Sequence, residues 1–371
     1  MRYSIRARPL TLLLPRGLAA FARIVGLGAA LALSACGEVA VGSLDEPLGE
    51  ITGDRPSYQE RVALYACDKA RADPAATGWS DFAAVPPLLW HDSLAQSGRA
   101  HSQDMRDTPC FQHNSCDGTD PFVRIKKYWT GAFSTMGENI AAGVSDGQTA
   151  VYNWINEIGA PPGTTGHREN TFNGAFHYVG FGYAPGGKQF QGYWTQDFAG
   201  TQPPPAIPPI AVGIHAPEAP SAGGMATFSA IFYDAGKRAP DFVEVVIDGH
   251  TTPLTLAGGA AAAGAYEARV PITAGCHRYY FLSSVGGTKA AYPDAGTLGV
   301  ATPGTTTGCD AFVAGTVSLD PGAGTGPGGN IGGGSGGGGC DVGRGRGATG
   351  PWTTLLLLAA IPLARRRRAR R

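Results

Sequence analysis

The side chains that could do chemistry in this 371-residue chain are concentrated in one stretch. Five of its eight histidines lie between Tyr58 and Gly200, together with five of its six tryptophans, so a core and a site are both expected there. Among these histidines, His113 is bracketed three residues away on each side by Cys110 and Cys116. In an oxidising compartment such cysteines favour a Cys110–Cys116 disulfide, which would constrain the loop presenting His113. A zinc site made of Cys110, His113 and Cys116 is the alternative. Cys67 makes the set odd and could pair with either. Cys276 and Cys309 stand apart in the second half and are expected to pair with each other. The chain shows no HExxH, no Ser/His/Asp order signature and no positioned cysteine nucleophile,.

Elements to carry these residues can be read from hydrophobic spacing. A helix is predicted over Tyr58–Ala72, stopped by Pro74, and a second over LAQSGRAHSQDM, where Leu94, Ser97-Gly98, His101 and Met105 recur at helical spacing,. A third fits GQTAVYNWINEI, with Ala150, Trp154 and Glu157 on a shared face. Strand-like runs follow at Tyr178 to Tyr183 and Phe190 to Phe198,. Helices followed by interleaved strands predict an α/β fold, a three-layer α-β-α sandwich over residues 58–200. The run TQPPPAIPPI marks a boundary at residues 201–210, because successive prolines remove donors and hold the backbone extended,. Beyond it the pattern changes to strands. Tyr266, Ala268, Val270 and Ile272 alternate with Glu267, Arg269 and Pro271, and VEVVIDGH carries an Asp248-Gly249 hairpin turn,. Residues 211–313 are therefore expected to form a small all-β sandwich.

Four stretches carry a more specific signal: PLLWHDSLAQSGRAHSQDM, FQHNSCDGTDPFVRIKKYW, GENIAAG, and VYNWINEIGAPPGTTGHRENTF with FHYVGFGYA and YWTQDF behind it. Together they resemble the bacterial form of the CAP superfamily, also called the SCP-like domain, over about 140 residues. The resemblance implies an α-β-α sandwich and a cleft with two histidines and two glutamates. Matched block by block, these are His113, Glu138, Glu157 and His167. Many bacterial members have serine where Glu157 stands. Two neutral imidazoles can bind a divalent metal, zinc first, while two carboxylates compensate charge, hold a metal-bound water or orient the imidazoles. His91, His101 and His177 belong to no such group and are expected to be surface or core residues. Catalysis is not general in the family, whose members are credited with sterol or lipid binding, metal-dependent association and signalling. The expectation is a cell-surface binding module for a lipid, peptide or glycan. The alternative is a secreted metal-dependent hydrolase acting on a peptide or envelope polymer, with Glu138 or Glu157 as base.

The ends read as addresses. Residues 1–35 have a basic start and an apolar run ending Leu33-Ser34-Ala35-Cys36, an export signal of lipoprotein type with Cys36 as the lipidated residue,. Residues 36–57 would be a tether. Residues 314–350 are expected to be a Gly-rich stalk, with sixteen glycines between Pro321 and Gly350,. Residues 351–371 combine a short apolar run with an arginine cluster behind Gly339-Cys340. This resembles the myxobacterial C-terminal sorting tag, which implies cleavage at Cys340 and surface display. The membrane would then be a partner through the lipid anchor and tag, at the outer membrane or cell surface. Charge follows the same division. Lys plus Arg and Asp plus Glu number 29 each, but eleven arginines lie in the two terminal segments that contain no acid. Without them 18 basic residues face 29 acidic ones, about −11,. No nucleic-acid partner is expected on this balance.

Overall fold

The computed structural model describes residues 55–305 and 308–321. The proposed signal with Cys36, most of the tether, most of the stalk, Cys340 and the C-terminal tag lie outside the described residues. The described chain divides into two compact units. One comprises residues 55–206 and 308–311, the other residues 207–305 and 312–321.

The first unit is the expected α-β-α sandwich. Helix α1 (Tyr58–Ala72) starts from a capping box in which the Ser57 hydroxyl accepts from the Glu60 N–H and the Glu60 carboxylate accepts from the Ser57 N–H,. It is followed by β1 (Leu89–Trp90), α2 (Asp92–Asp107), α3 (Pro121–Tyr128) and β2 (Thr135–Ala142). Then come α4 (Gly147–Asn156), α5 (Gly166–Phe172), β3 (Tyr178–Pro185) and β4 (Gly192–Gly200). The strands form one sheet in the order β1-β3-β4-β2, parallel between β1 and β3 and antiparallel elsewhere, so β2 is an edge strand. Helix α2 lies across β3 and β4, with α3 beside it. Cys67 of α1 and Trp154 of α4 approach the sheet through Gln196 and the Ile140 carbonyl.

Because side chains alternate across a strand, neighbouring residues of β2 serve opposite layers. Glu138 faces Asp197 across the β2–β4 ladder, and Asn139 faces Gln196. Asn139 donates to Gln196 at 3.0 Å, and Gln196 reaches Cys67 of α1, so that face belongs to α1, α4 and α5. On the other face Thr195 accepts from the Ser102 hydroxyl of α2 at 2.9 Å. Helix α2 comes this close because glycines leave room: a Cβ on Gly180 would sit 2.0 Å from the Ala95 nitrogen, and one on Gly182 would sit 2.1 Å from the carbonyl carbon of Gly98. Trp154, Trp194, Phe181, Phe198 and Leu64 fill the interior. Buried Arg71 locks α1 to the chain around it, donating to the carbonyls of Pro86, Thr171 and Asn173.

The second unit is a β-sandwich. One sheet runs β5 (Ile210–Ala216), β6 (Met225–Tyr233), β10 (Ala263–Pro271), β9 (Thr255–Ala260). The other runs β14 (Val313–Ala314), β13 (Gly296–Ala301), β11 (Cys276–Val285), β7 (Phe242–Ile247), β8 (His250–Pro253), with β12 (Thr288–Tyr292) paired to β11. Phe228, Phe232, Val245, Tyr279, Phe281 and Val300 form its core. Cys276 and Cys309 are both in disulfide linkage. The stretch expected to open the stalk is still packed here. Val313–Ala314 is a strand, Tyr280 donates to the Ser318 carbonyl at 2.8 Å, and Asp320 pairs with Lys289. Among the described residues, no helix is long and apolar enough to cross a membrane.

The glycine contacts give a direct test. Gly182→Ala forces backbone apart and is expected to cost at least about 2 kcal/mol, whereas Gly166→Ala, which meets nothing within 4 Å, stays within about 0.5 kcal/mol,. Denaturant unfolding followed by tryptophan fluorescence reads the first unit, since the five described tryptophans all lie in it.

Candidate functional site

The four residues singled out from the sequence form two His–Glu pairs. His113 Nδ1 lies 2.8 Å from Glu138 Oε1, and His167 Nδ1 lies 2.7 Å from Glu157 Oε2. In each pair the carboxylate is the buried partner, with side-chain exposures of 2% for Glu138 and 8% for Glu157, and the imidazole is the more accessible one, at 49% and 20%. A carboxylate at Nδ1 accepts that N–H and leaves the Nε2 lone pair outward, the orientation found in ligating histidines. Neither Nε2 has a protein partner among the described residues.

Each pair is fixed by its own local structure. Glu138 sits in edge strand β2 with its second oxygen taken by Arg124 of α3. Arg124 also donates to the His113 carbonyl at 3.2 Å and the Ser115 hydroxyl at 2.9 Å, so one buried guanidinium fixes both the carboxylate and the loop that carries its imidazole. That loop is closed by the Cys110–Cys116 disulfide, with Cα atoms 5.9 Å apart, and the Cys116 N–H donates to Asp104 at 2.7 Å. The zinc alternative for Cys110, His113 and Cys116 is thereby set aside. Cys67 is left as a buried free thiol whose pKa burial pushes up to about 12.

The second pair is built at a chain reversal. The helical spacing placed Glu157 on a face of α4, but α4 stops at Asn156 and Glu157 is its C-cap, at φ 54° in the left-handed region. This turns its carboxylate toward α5, where it accepts from His167 Nδ1 and from the Arg168 N–H at 3.0 Å. His167 stands in the first turn of α5. A bridge of amides joins the two pairs across β2. Asn139 donates to the His167 carbonyl at 3.2 Å, and Asn170 donates to the Glu138 carbonyl at 3.2 Å and to Asn139 Oδ1 at 2.9 Å.

Three residues whose link to the site the sequence reading did not give lie behind His113 and Glu138. His101 was expected to be an isolated surface or core histidine. It is fully buried on α2, its Nε2 bonds to the Gln112 carbonyl at 3.0 Å, and it feels the charges of Arg124 and Glu138. Burial, and then Arg124, hold its pKa down at about 4. Asp197 is fully buried opposite Glu138, near enough to Ser97 and Glu138 to interact with both but with neither in good hydrogen-bond geometry. Burial, and then the Glu138 charge, raise its pKa well above the carboxylate range. The third is Arg124. The YWTQDF block contained Asp197 and the FVRIKKYW block contained Arg124, but only the ladder register and the docking of α3 bring them to Glu138. As for a metal, no three His, Cys, Asp or Glu side chains gather with ligand spacing among the described residues. With Glu138 engaged by His113 and Arg124, the ring nitrogens of the two pairs left without a bond among the described residues are the imidazole Nε2 atoms.

Residues of the first unit also match known proteins in sequence. The model of the CAP family, the cysteine-rich secretory protein family, matches residues 64–198. YkwD of Bacillus subtilis (strain 168) is 37% identical over 116 residues, which are 31% of this chain and 40% of YkwD. The B. subtilis membrane protein YlbC is 30% identical over 111 residues, 30% of this chain and 28% of YlbC. The chain thus spans less than half the length of either relative. Among solved structures, an extracellular protein containing an SCP domain from Bacillus anthracis is 27% identical, with 38% of this chain and 41% of that one covered, at a TM-score of 0.29.

Two outcomes test the site's physical basis. Arg124→Met leaves the Glu138 carboxylate buried without its counter-charge and is expected to cost about 3–5 kcal/mol in denaturant unfolding. His101 works through pH. Its folded pKa lies below the ordinary value, so the folded state resists protonation, and the stability this gives is present above about pH 6.5 and lost as pH falls toward about 4,. His101→Gln should therefore remove on the order of 3 kcal/mol of the stability difference between pH 7 and pH 4.

Proposed function

We propose that this chain, whose residues 64–198 form a CAP domain, is an exported binding module that presents His113 and His167 to a ligand, with a divalent metal such as zinc held between ligand and protein. The observation that carries this reading is the orientation of the two imidazoles: each has its Nδ1 tied to a buried glutamate and its Nε2 turned away from it. Two histidines supply half of a tetrahedral zinc shell, and a carboxylate, phosphate or hydroxyl of a lipid, peptide or glycan can complete it. A bound metal would supply an electrophilic centre for such a group. Glu138 and Glu157 orient the imidazoles and make them better ligands, which is the role their burial suits.

The same contacts weigh against Glu138 as a general base. Its two oxygens are bonded to His113 and Arg124 and its side chain is only 2% exposed, so water has little access to the lone pairs that remain,. The binding reading therefore ranks above metal-dependent hydrolysis. Export and surface display are supported by the terminal segments of the sequence. A lipid anchor at Cys36 and a sorting tag at Cys340 belong to the same proposal.

Calorimetric titration of the purified protein with zinc tests it. Binding is expected at pH 7.5 and should weaken by at least about tenfold at pH 5, because protons compete for imidazole. His113→Ala and His167→Ala should each abolish it, while Glu157→Gln weakens it by about 10- to 100-fold. Zinc binding that is unchanged in His113→Ala removes the assignment.

A further inference from the structure

A second histidine–carboxylate cluster lies in the β-sandwich unit, outside the CAP domain. Asp248 and Gly249 form the two-residue turn between β7 and β8, with φ of 49° and 85°. The Asp248 carboxylate reaches across to the start of β11. Oδ1 accepts from the Arg278 N–H at 2.8 Å, and Oδ2 lies 2.6 Å from His277 Nδ1. The Asp248 N–H in turn donates to the Arg278 carbonyl at 2.8 Å. The other ring nitrogen of His277 faces a single residue of the β10–β11 connection in two ways. Nε2 lies 3.0 Å from the Thr273 carbonyl oxygen and 3.2 Å from the Thr273 hydroxyl.

The carbonyl contact requires a protonated Nε2, whereas the hydroxyl, which can donate or accept, can serve either state,. A carbonyl oxygen can only accept, so the 3.0 Å contact is a hydrogen bond when Nε2 carries a proton. With Nδ1–H directed at Asp248, that makes the ring an imidazolium. A neutral ring with Nδ1–H on Asp248 has a lone pair at Nε2, which the carbonyl repels and the hydroxyl can satisfy by donating. Thr273 therefore offers a partner for each state, and the exchange needs only rotation of its hydroxyl hydrogen. We propose that His277 is a pH-operated latch, joining the β7–β8 turn to the β10–β11 connection most tightly when it is charged and switching from the Thr273 carbonyl to the Thr273 hydroxyl when it is neutral.

The charged surroundings support the direction of the switch. The acid acting on the ring is Asp248. Across the ladder, β13 presents Val300 opposite His277, with Gly299 and Ala301 on either side, and the connection contributes Thr273, Ala274 and Gly275. Arg278 follows on β11 itself, and His250 lies across the turn on β8. Partial burial pulls the imidazole pKa down, but the bonds to Asp248 and to the Thr273 carbonyl, with the Asp248 charge, outweigh it and hold the pKa above its ordinary value. The sign follows from linkage. A raised folded pKa contributes stability that is fully present below the unfolded value near 6.5 and is lost as pH rises through the folded value. The joint tightens in acid. It also sits beside disulfide-linked Cys276 and a connection held by mutual bonds between Gly275 and Thr302, so the connection end of the joint is fixed independently of the ring.

Nuclear magnetic resonance titration of the His277 ring in the purified full chain tests the proposal, with His277→Gln assigning the signal. The midpoint is expected above 6.5. Asp248→Asn keeps an acceptor for the Arg278 N–H and removes the charge, and should lower the midpoint by about one unit, a tenfold change in proton affinity. Thr273→Val removes the hydroxyl that serves the neutral ring but keeps the carbonyl, and should raise it. A midpoint at or below 6.5, or a fall in Thr273→Val, overturns the proposal. Hydrogen exchange at the Arg278 amide, corrected for intrinsic rate, gives a second reading. Its protection should be about threefold or more higher at pH 5.5 than at pH 8.5 in the natural chain and equal at the two values in His277→Gln. Equal protection in the natural chain overturns the latch even where the titration midpoint is raised.

Discussion

Glu138 is a charged group on an edge strand with almost no access to water, and the arrangement of the first unit depends on how that charge is met. A buried carboxylate is costly unless it is paired and hydrogen-bonded. Arg124 supplies the counter-charge and His113 the second bond, so α3, the disulfide loop and β2 are assembled by one demand. Asp197, directly across the ladder, has no such counter-charge bonded to it, and burial and the neighbouring Glu138 charge push its pKa up. One of the two adjacent acids is met by a guanidinium and an imidazole, and the other is not. That division follows from which of them α3 reaches.

The edge position of β2 serves the site in another way. An interior strand has helices over both faces and neighbours on both sides, whereas an edge strand lets chain segments from the two helical layers meet around it. Glu138 serves the α2–α3 layer, and Asn139 hydrogen-bonds to the His167 carbonyl in the α4–α5 layer. The two His–Glu pairs are thus built by different layers and brought into register by one dipeptide. Side chains that alternate along the strand do the joining, which explains why the amide of Asn139 is as buried as the core around it.

Most of this fold could be read from the sequence because its signals are local. Helical spacing in α1 and α2, alternation in β10 and the Asp248-Gly249 turn each depend on residues close in sequence. The pairing residues His113, Glu138, Glu157 and His167 were legible only through the blocks that carry them, since 54 positions separate the first from the last. The links of Arg124, His101 and Asp197 to Glu138 were not legible. Their importance arises from the docking of α3, the glycine-permitted approach of α2 and the β2–β4 register, none of which a one-dimensional pattern states. The end of α4 was misplaced for the opposite reason. Trp154 and Glu157 do fit a helical face, but the backbone leaves the helix at the very residue that the pattern would have included.

That departure has a consequence for how the site can change over time. A helix end at positive φ is the natural place for glycine, which adopts it without steric cost, and every other side chain there gives up some local stability. Glu157 occupies this place because its carboxylate must turn back to His167. The residue that would suit the helix best is therefore one that would dissolve the second His–Glu pair. Stability and the His–Glu pair pull this position in opposite directions, and a chain with no use for the pair would be free to drift toward glycine here while keeping the rest of the sandwich intact.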